Sequence, residues 1–256
     1  MGTNRSIGLL AAAGLALYGA VASAEMHATE EFEAGATRPV TIALLPAQVE
    51  LVKQRMIRRE AQPEEAGQLE GYLTDAVSAE LAGKSYNVVV ITAEQINADP
   101  ELQSLVVEAN RRFDELLGNI SRKLRKQVET RKYHAGDTIT LLANRLDVDA
   151  IGFVRMQLVA AGKGVQVLNM GMGGAQTMMS VSLVDRNTTD IEAYVTLPIM
   201  RRGKVFGGYD DVMNNPDEEM AKFASATIND LLAADPSLRV AESEDDVLGD
   251  LDSLLE

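Results

Sequence analysis

Between Asp147 and Leu197 the chain alternates as extended strands do. Ala150–Val159 is apolar on both faces, with Ile151 and Phe153 on one and Gly152, Val154 and Met156 on the other, the pattern of a strand inside a sheet. Thr177–Asp185 alternates strictly, Met179, Val181 and Leu183 opposing Ser180 and Ser182. Ile191–Ile199 sets Ile191, Ala193, Val195, Leu197 and Ile199 against Glu192, Tyr194 and Thr196. The polar run Asp185–Asp190 between the last two is turn chemistry and predicts a hairpin.

Upstream the period lengthens. Val40–Leu45 reads as a short strand stopped by Pro46, and Asn87–Thr92 as a buried β-branched strand. Gln48–Glu60 mixes Val49, Leu51, Val52, Met56 and Ile57 with Lys53, Arg55, Arg58 and Arg59, which leaves a short helix and an ordered loop both open. Glu64–Leu81 carries Leu69, Tyr72, Leu73, Ala76, Val77 and Leu81 at helical spacing, with Gly83 as its stop. Asp99 caps a helix that Pro100 begins, and apolar residues from Leu102 to Leu124 keep its period for about six turns. Gly136 interrupts, Asp137 recaps, and Thr138–Leu146 leads into the central strand. A last helix near Pro216–Ala233 presents Met220, Phe223, Ala224, Thr227, Ile228 and Leu231. This order predicts an α/β (α+β) fold, a mixed sheet with a C-terminal antiparallel meander packed by helices.

Composition changes the picture at the ends. Arg5, the apolar run Ile7–Val21 and the small-x-small triplet Ala22-Ser23-Ala24 form an export signal over residues 1–24, cleaved after Ala24. Its apolar run is about 15 residues, short of the roughly 20 that span a bilayer. Glu25–Arg38 reads as a flexible acidic leader, residues 39–235 as a single domain, and residues 236–256 as an acidic amphipathic tail. With 256 residues, net charge −14 and no cysteine, the chain lacks disulfides, thiolate chemistry and cysteine metal sites, and its acidity opposes nucleic-acid binding. An exported chain free of cysteine suits the periplasm.

The run from Ala143 to Val195, with Asp149, Gly152, Val181–Asp185 and Thr188 in place, resembles the core of the curli-secretion-component (CsgG-like) superfamily. Relatives of that superfamily include the N-terminal domain of TolB and the LpoB activator. The residues Thr41–Pro46 and Tyr72–Thr92 resemble its first strand, first helix and second strand. The resemblance spans roughly Val40–Ala234 and implies an envelope protein that acts through contacts. Two departures limit it: the chain has no cysteine for a lipid anchor, and no strand pair with a membrane-inserting pattern.

Catalytic and metal chemistry is poorly supplied. Gly162, Gly164, Gly171, Gly173 and Gly174 lead into a strand and lack the Lys-Ser/Thr ending of a phosphate cradle, so they read as a crossing between strands. His27 and His134 stand apart, and no cofactor or metal is expected. Asp147 and Asp149, on a turn, serve the backbone rather than an acid–base pair. Nothing couples a nucleophile to a base, so no enzyme is expected.

Three surfaces remain for a partner. Arg122, Lys123, Arg125 and Lys126 belong to a basic run that also includes Arg111 and Arg112, read either as a solvated helix face or as a dock for an acidic partner. Met170 and Met172 sit at the tip of the glycine crossing. In the tail, Leu248, Leu251, Leu254 and Leu255 fall on one helical face among acids, either as a solubilising tail or as a segment that folds into a groove. The expected function is a non-catalytic periplasmic scaffold, possible as a homo-oligomer, that binds another envelope protein. The alternative is a carrier holding a small apolar ligand between sheet and helix, which a pocket lined by Met156, Met178 and Met179 would favour.

Overall fold

The computed structural model describes residues 24–54, 59–120, 134–161, 176–197 and 209–234. Its elements are β1 (Glu25–Ala28), α1 (Glu30–Ala34), β2 (Thr41–Leu44), β3 (Gln48–Gln54), β4 (Arg59–Ala61), α2 (Pro63–Gly83) and β5 (Asn87–Val90). Next come α3 (Ala93–Ala98), α4 (Pro100–Ile120), α5 (Asp137–Leu146), β6 (Ala150–Ala161), β7 (Gln176–Asp185), β8 (Ile191–Leu197), α6 (Tyr209–Asn214) and α7 (Pro216–Ile228). One mixed sheet runs β1-β8-β7-β6-β2-β5, so the expected α/β architecture is present. β6, β7 and β8 form the antiparallel meander, while β2 runs parallel to both β5 and β6.

Helices cover both faces. Val154, Met156, Leu158, Met179, Val181, Leu183, Ala193, Val195 and Leu197 pack with α2 and α7. Ile151, Phe153, Val184 and Ile191 pack with α4 and α5 on the other side. β6 is the rail of the sheet because β2 and β3 share one of its edges. Leu44 pairs with Gly152 and Gln48 with Arg155, so the segment around Pro46 carries one residue more than β6 does opposite. Proline has no N–H for a ladder, and a bulge is where a sheet tolerates it.

Several expectations change. Glu25–Arg38 is not a loose leader: it supplies β1 and α1, Phe32 is fully buried, and Thr29 caps α1 by accepting from the Phe32 N–H at 3.2 Å. Gln48–Gln54 is neither helix nor loop but strand β3, paired with β6 and folded back onto β4. The stop of α2 is not Gly83: the helix C-cap is Lys84, and the left-handed residue is Ser85 at φ 68°. Tyr72, expected on the buried face, is exposed. Asp137 is the first residue of α5 and Gly136, at φ 83°, its cap.

The alternation in β8 breaks at its start. Ala193 pairs with Leu183 but Ile191 pairs with Val184, so Glu192 is an extra residue in a bulge. Ile191 therefore lies with Val184 in the α4/α5 core, on the face opposite Ala193, Val195 and Leu197. Asp149 does the backbone work expected of it, its Oδ2 accepting from the Val40 and Thr41 N–H groups at 2.9 Å each. Asp185 Oδ1 likewise accepts from the N–H groups of Asn187 and Thr188 at 2.7 and 2.8 Å, closing the β7–β8 turn.

Candidate functional site

On the α4 side the helices cover only part of the sheet. Phe113 of α4 stacks on Phe153 of β6, ring centroids 4.2 Å apart and planes within 9° of parallel. Toward the far ends of β6 and β7 the helix leaves a groove of about 610 Å³. Strand register builds its floor in two cross-strand rows. Gln48, Arg155, Ser180 and Thr196 succeed one another across β3, β6, β7 and β8, and Glu50, Gln157 and Met178 make the next row. Asp114 and Leu117 of α4 form a wall, with Tyr194 and Val49 also lining the space.

Arg155 organises this groove. Its Nε donates to Asp114 Oδ1 at 2.8 Å, one Nη to Asn110 Oδ1 at 2.8 Å and the other to the Val154 carbonyl at 3.1 Å. The guanidinium also lies 5.3 and 5.7 Å from the Phe113 and Phe153 ring centres, within cation–π range. Burial pushes its pKa down, against the pull of the Asp114 carboxylate. Gln157 Nε2 donates to Glu50 Oε2 at 2.7 Å. The charged groups are thus held by neighbours, while Met178 stays 46% exposed on the floor. The arrangement offers a preformed surface with apolar and hydrogen-bonding groups, suited to recognition.

A second polar cluster lies at the opposite end of the meander. Glu192 is buried, and its Oε2 accepts from the hydroxyls of Thr29 and Thr37, the latter at 2.8 Å. His134 Nδ1 is 2.7 Å from Asp190 Oδ1, so this histidine is engaged with the β7–β8 turn. These groups tie the N-terminal arm and the chain before α5 to the meander.

Arg122, Lys123, Arg125, Lys126, Met170, Met172, Leu248, Leu251, Leu254 and Leu255 all lie outside the described residues. Of the same basic run, Arg111 pairs with Glu108 and Glu115 and Arg112 with Glu108, as a solvated helix face would. Arg111 and Arg112 hold the Glu108 carboxyl down at about 2. Met178 lies on the groove floor; Met156 borders the groove but packs, like its cross-strand partner Met179, in the α2-side core. Among the described residues no group of three or more His, Asp or Glu side chains is placed to hold a metal ion. No described helix is long and apolar enough to cross a membrane.

The layers define a class of fold: a mixed sheet between two helical layers. No family model and no curated protein matches the chain. Among solved structures, the chain is similar to the PelC dodecamer from Paraburkholderia phytofirmans, at TM-score 0.34 and 7% identity over 80% of this chain and 95% of that one. A single-residue variant of that dodecamer matches at TM-score 0.36 and 10% identity, over 80% of this chain and 97% of that one. Scores of this size establish no kinship and carry no function.

Proposed function

We propose that the chain is exported, trimmed after Ala24, and works in the periplasm as a non-catalytic adaptor of the CsgG-like kind. Its partner is another protein of the cell envelope, which seats on the open half of the sheet. The observation that carries this reading is the groove: four strands make its floor, its charged groups are held in place, and Met178 is presented uncovered. An exposed methionine on such a floor suits an apolar anchor of a partner, since its side chain adapts to what it meets. The basic run after α4, the Met170/Met172 tip and the tail leucines are further contacts in the proposal.

The test places a photocrosslinking residue at Met178, Thr196 or exposed Val107 on the outer side of α4, in cells. A discrete adduct with one envelope protein from positions 178 and 196, and not from 107, is expected. Met178→Glu should weaken capture of that protein at least about tenfold, equivalent to about 1.4 kcal/mol. Equal adducts from all three positions refute the groove as the contact. The carrier reading retains one support, the apolar lining by Met178 and Leu117; a stoichiometric lipid released from gently purified protein would favour it over the adaptor.

A further inference from the structure

We infer that hydrolysis of the Ala24–Glu25 bond is confined to the unfolded chain, because the native fold buries the residue before it and pairs the residue after it in the sheet. This rests on the export reading above, which supplies the leader and the cleavage position. Ala24 is only 5% exposed and packs in the α2-side core. Glu25 is already the first residue of β1, and the pairs Glu25–Thr196, Met26–Val195, His27–Tyr194 and Ala28–Ala193 succeed one another without a break. There is no spacer between the scissile bond and the sheet.

The segment after β1 fastens the strand in place. The Thr29 N–H donates to the Glu192 carbonyl at 3.0 Å, and the Thr29 and Thr37 hydroxyls donate to the Glu192 carboxylate. Phe32 is fully buried, and Arg38 Nε returns to the Phe32 carbonyl at 2.7 Å. A processing peptidase takes its substrate extended, with the backbone on either side of the bond free to pair with the enzyme. Here the backbone after the bond is paired with β8, and Ala24 before it is buried in the core. Cleavage of the native precursor requires β1 to leave β8, and it then proceeds only in the fraction of molecules that are open.

The chemistry is simple hydrolysis. Water adds across the peptide bond, the carboxylate stays on Ala24 with the leader, and the new α-amino group is that of Glu25. The mature chain loses the Ala24 methyl from its core and keeps all of β1. Order of events is the consequence: the leader is removed first, and β1 docks afterwards.

The test uses the full-length precursor in detergent micelles with purified bacterial signal peptidase. Refolded precursor is compared with precursor synthesised in the presence of the peptidase, before folding. A third sample carries a short Gly/Ser spacer between Glu25 and Met26, with folding checked by urea unfolding. The refolded wild type should be cleaved at least about tenfold more slowly than either, as expected when opening limits access. Thr37→Val, which removes one donor from Glu192 without opening a core cavity, should fall between and does not depend on the spacer. Equal rates for refolded wild type, Thr37→Val and nascent chain would overturn the inference and leave the export reading standing. If the nascent chain and the spacer variant both stay whole, the export reading falls and this inference with it.

Discussion

Gly152 offers the sharpest test of how β2 is seated on β6. A Cβ at this position would lie 3.0 Å from Leu44 Cδ1, 3.2 Å from Ile42 Cγ2 and 3.6 Å from the Ala43 carbonyl. Leu44 and Ile42 are both fully buried, so neither can yield without disturbing the α2 layer. Gly152→Val adds three carbons to this space and should destabilise by about 1–3 kcal/mol, as overpacking does. Leu44→Ala should cost about 2–5 kcal/mol through its cavity. That cavity lies where the new valine needs room, so the double variant should be more stable than the sum of the two losses, by about 1 kcal/mol or more. Urea unfolding followed by far-UV circular dichroism measures all three free energies, with equal slopes required for the comparison. Additivity within about 0.5 kcal/mol would mean that the two side chains do not compete, and the close approach of β2 to β6 would be wrong.

Individual contacts set further outcomes. Leu183→Ala, buried between β7 and the α2 layer, should lose about 2–5 kcal/mol in the same unfolding assay. Ser182→Ala should be neutral or stabilising by about 1 kcal/mol, because the Ser182 hydroxyl is buried with no hydrogen-bond partner among the described residues. Asp149→Ala should cost about 1–3 kcal/mol by stripping two backbone donors of their acceptor, and a melting temperature equal to wild type would contradict that role. NMR titration should find the Glu108 carboxyl at about 2. Its folded-state pKa is depressed, so its contribution is present above the ordinary carboxylate range, fades as pH falls toward 2, and shrinks in high salt.

The meander and the long helices were legible because each shows a single period over many residues. Met179, Val181 and Leu183 share a face, and Leu102, Val106, Ala109 and Phe113 share another, as their spacing requires. Three features escaped for physical reasons. β1 is four residues of mixed polarity whose strand character comes from β8, and the local signal there was the Thr29 cap with Phe32 beyond it. β3 does alternate, Val49 and Leu51 opposing Gln48 and Glu50, but Lys53 and the arginines that follow obscured the period. A one-residue bulge at Glu192 leaves no mark in an alternating run, yet it moves Ile191 to the other core. The groove was half legible: polar alternation marks Arg155, Gln157, Ser180 and Thr196 as one face. Which part of that face α4 covers is decided by the Phe113–Phe153 stack, a contact between distant residues.

The pairing of β1 with β8 has a kinetic side. Among the described strands the first closes against the last, so its loop contains almost the whole described fold, and the entropy of closing it cannot be recovered until β8 has joined the meander. β6, β7 and β8 can assemble from neighbouring segments well before that. During the interval β8 is an edge strand, with Ala193, Val195 and Leu197 on one face and a row of free N–H and C=O groups along its side. Such an edge is a template for any extended chain, including the same segment of another molecule. β1 is therefore a built-in edge guard that arrives late, and the time before it docks is when this chain is most exposed to self-association.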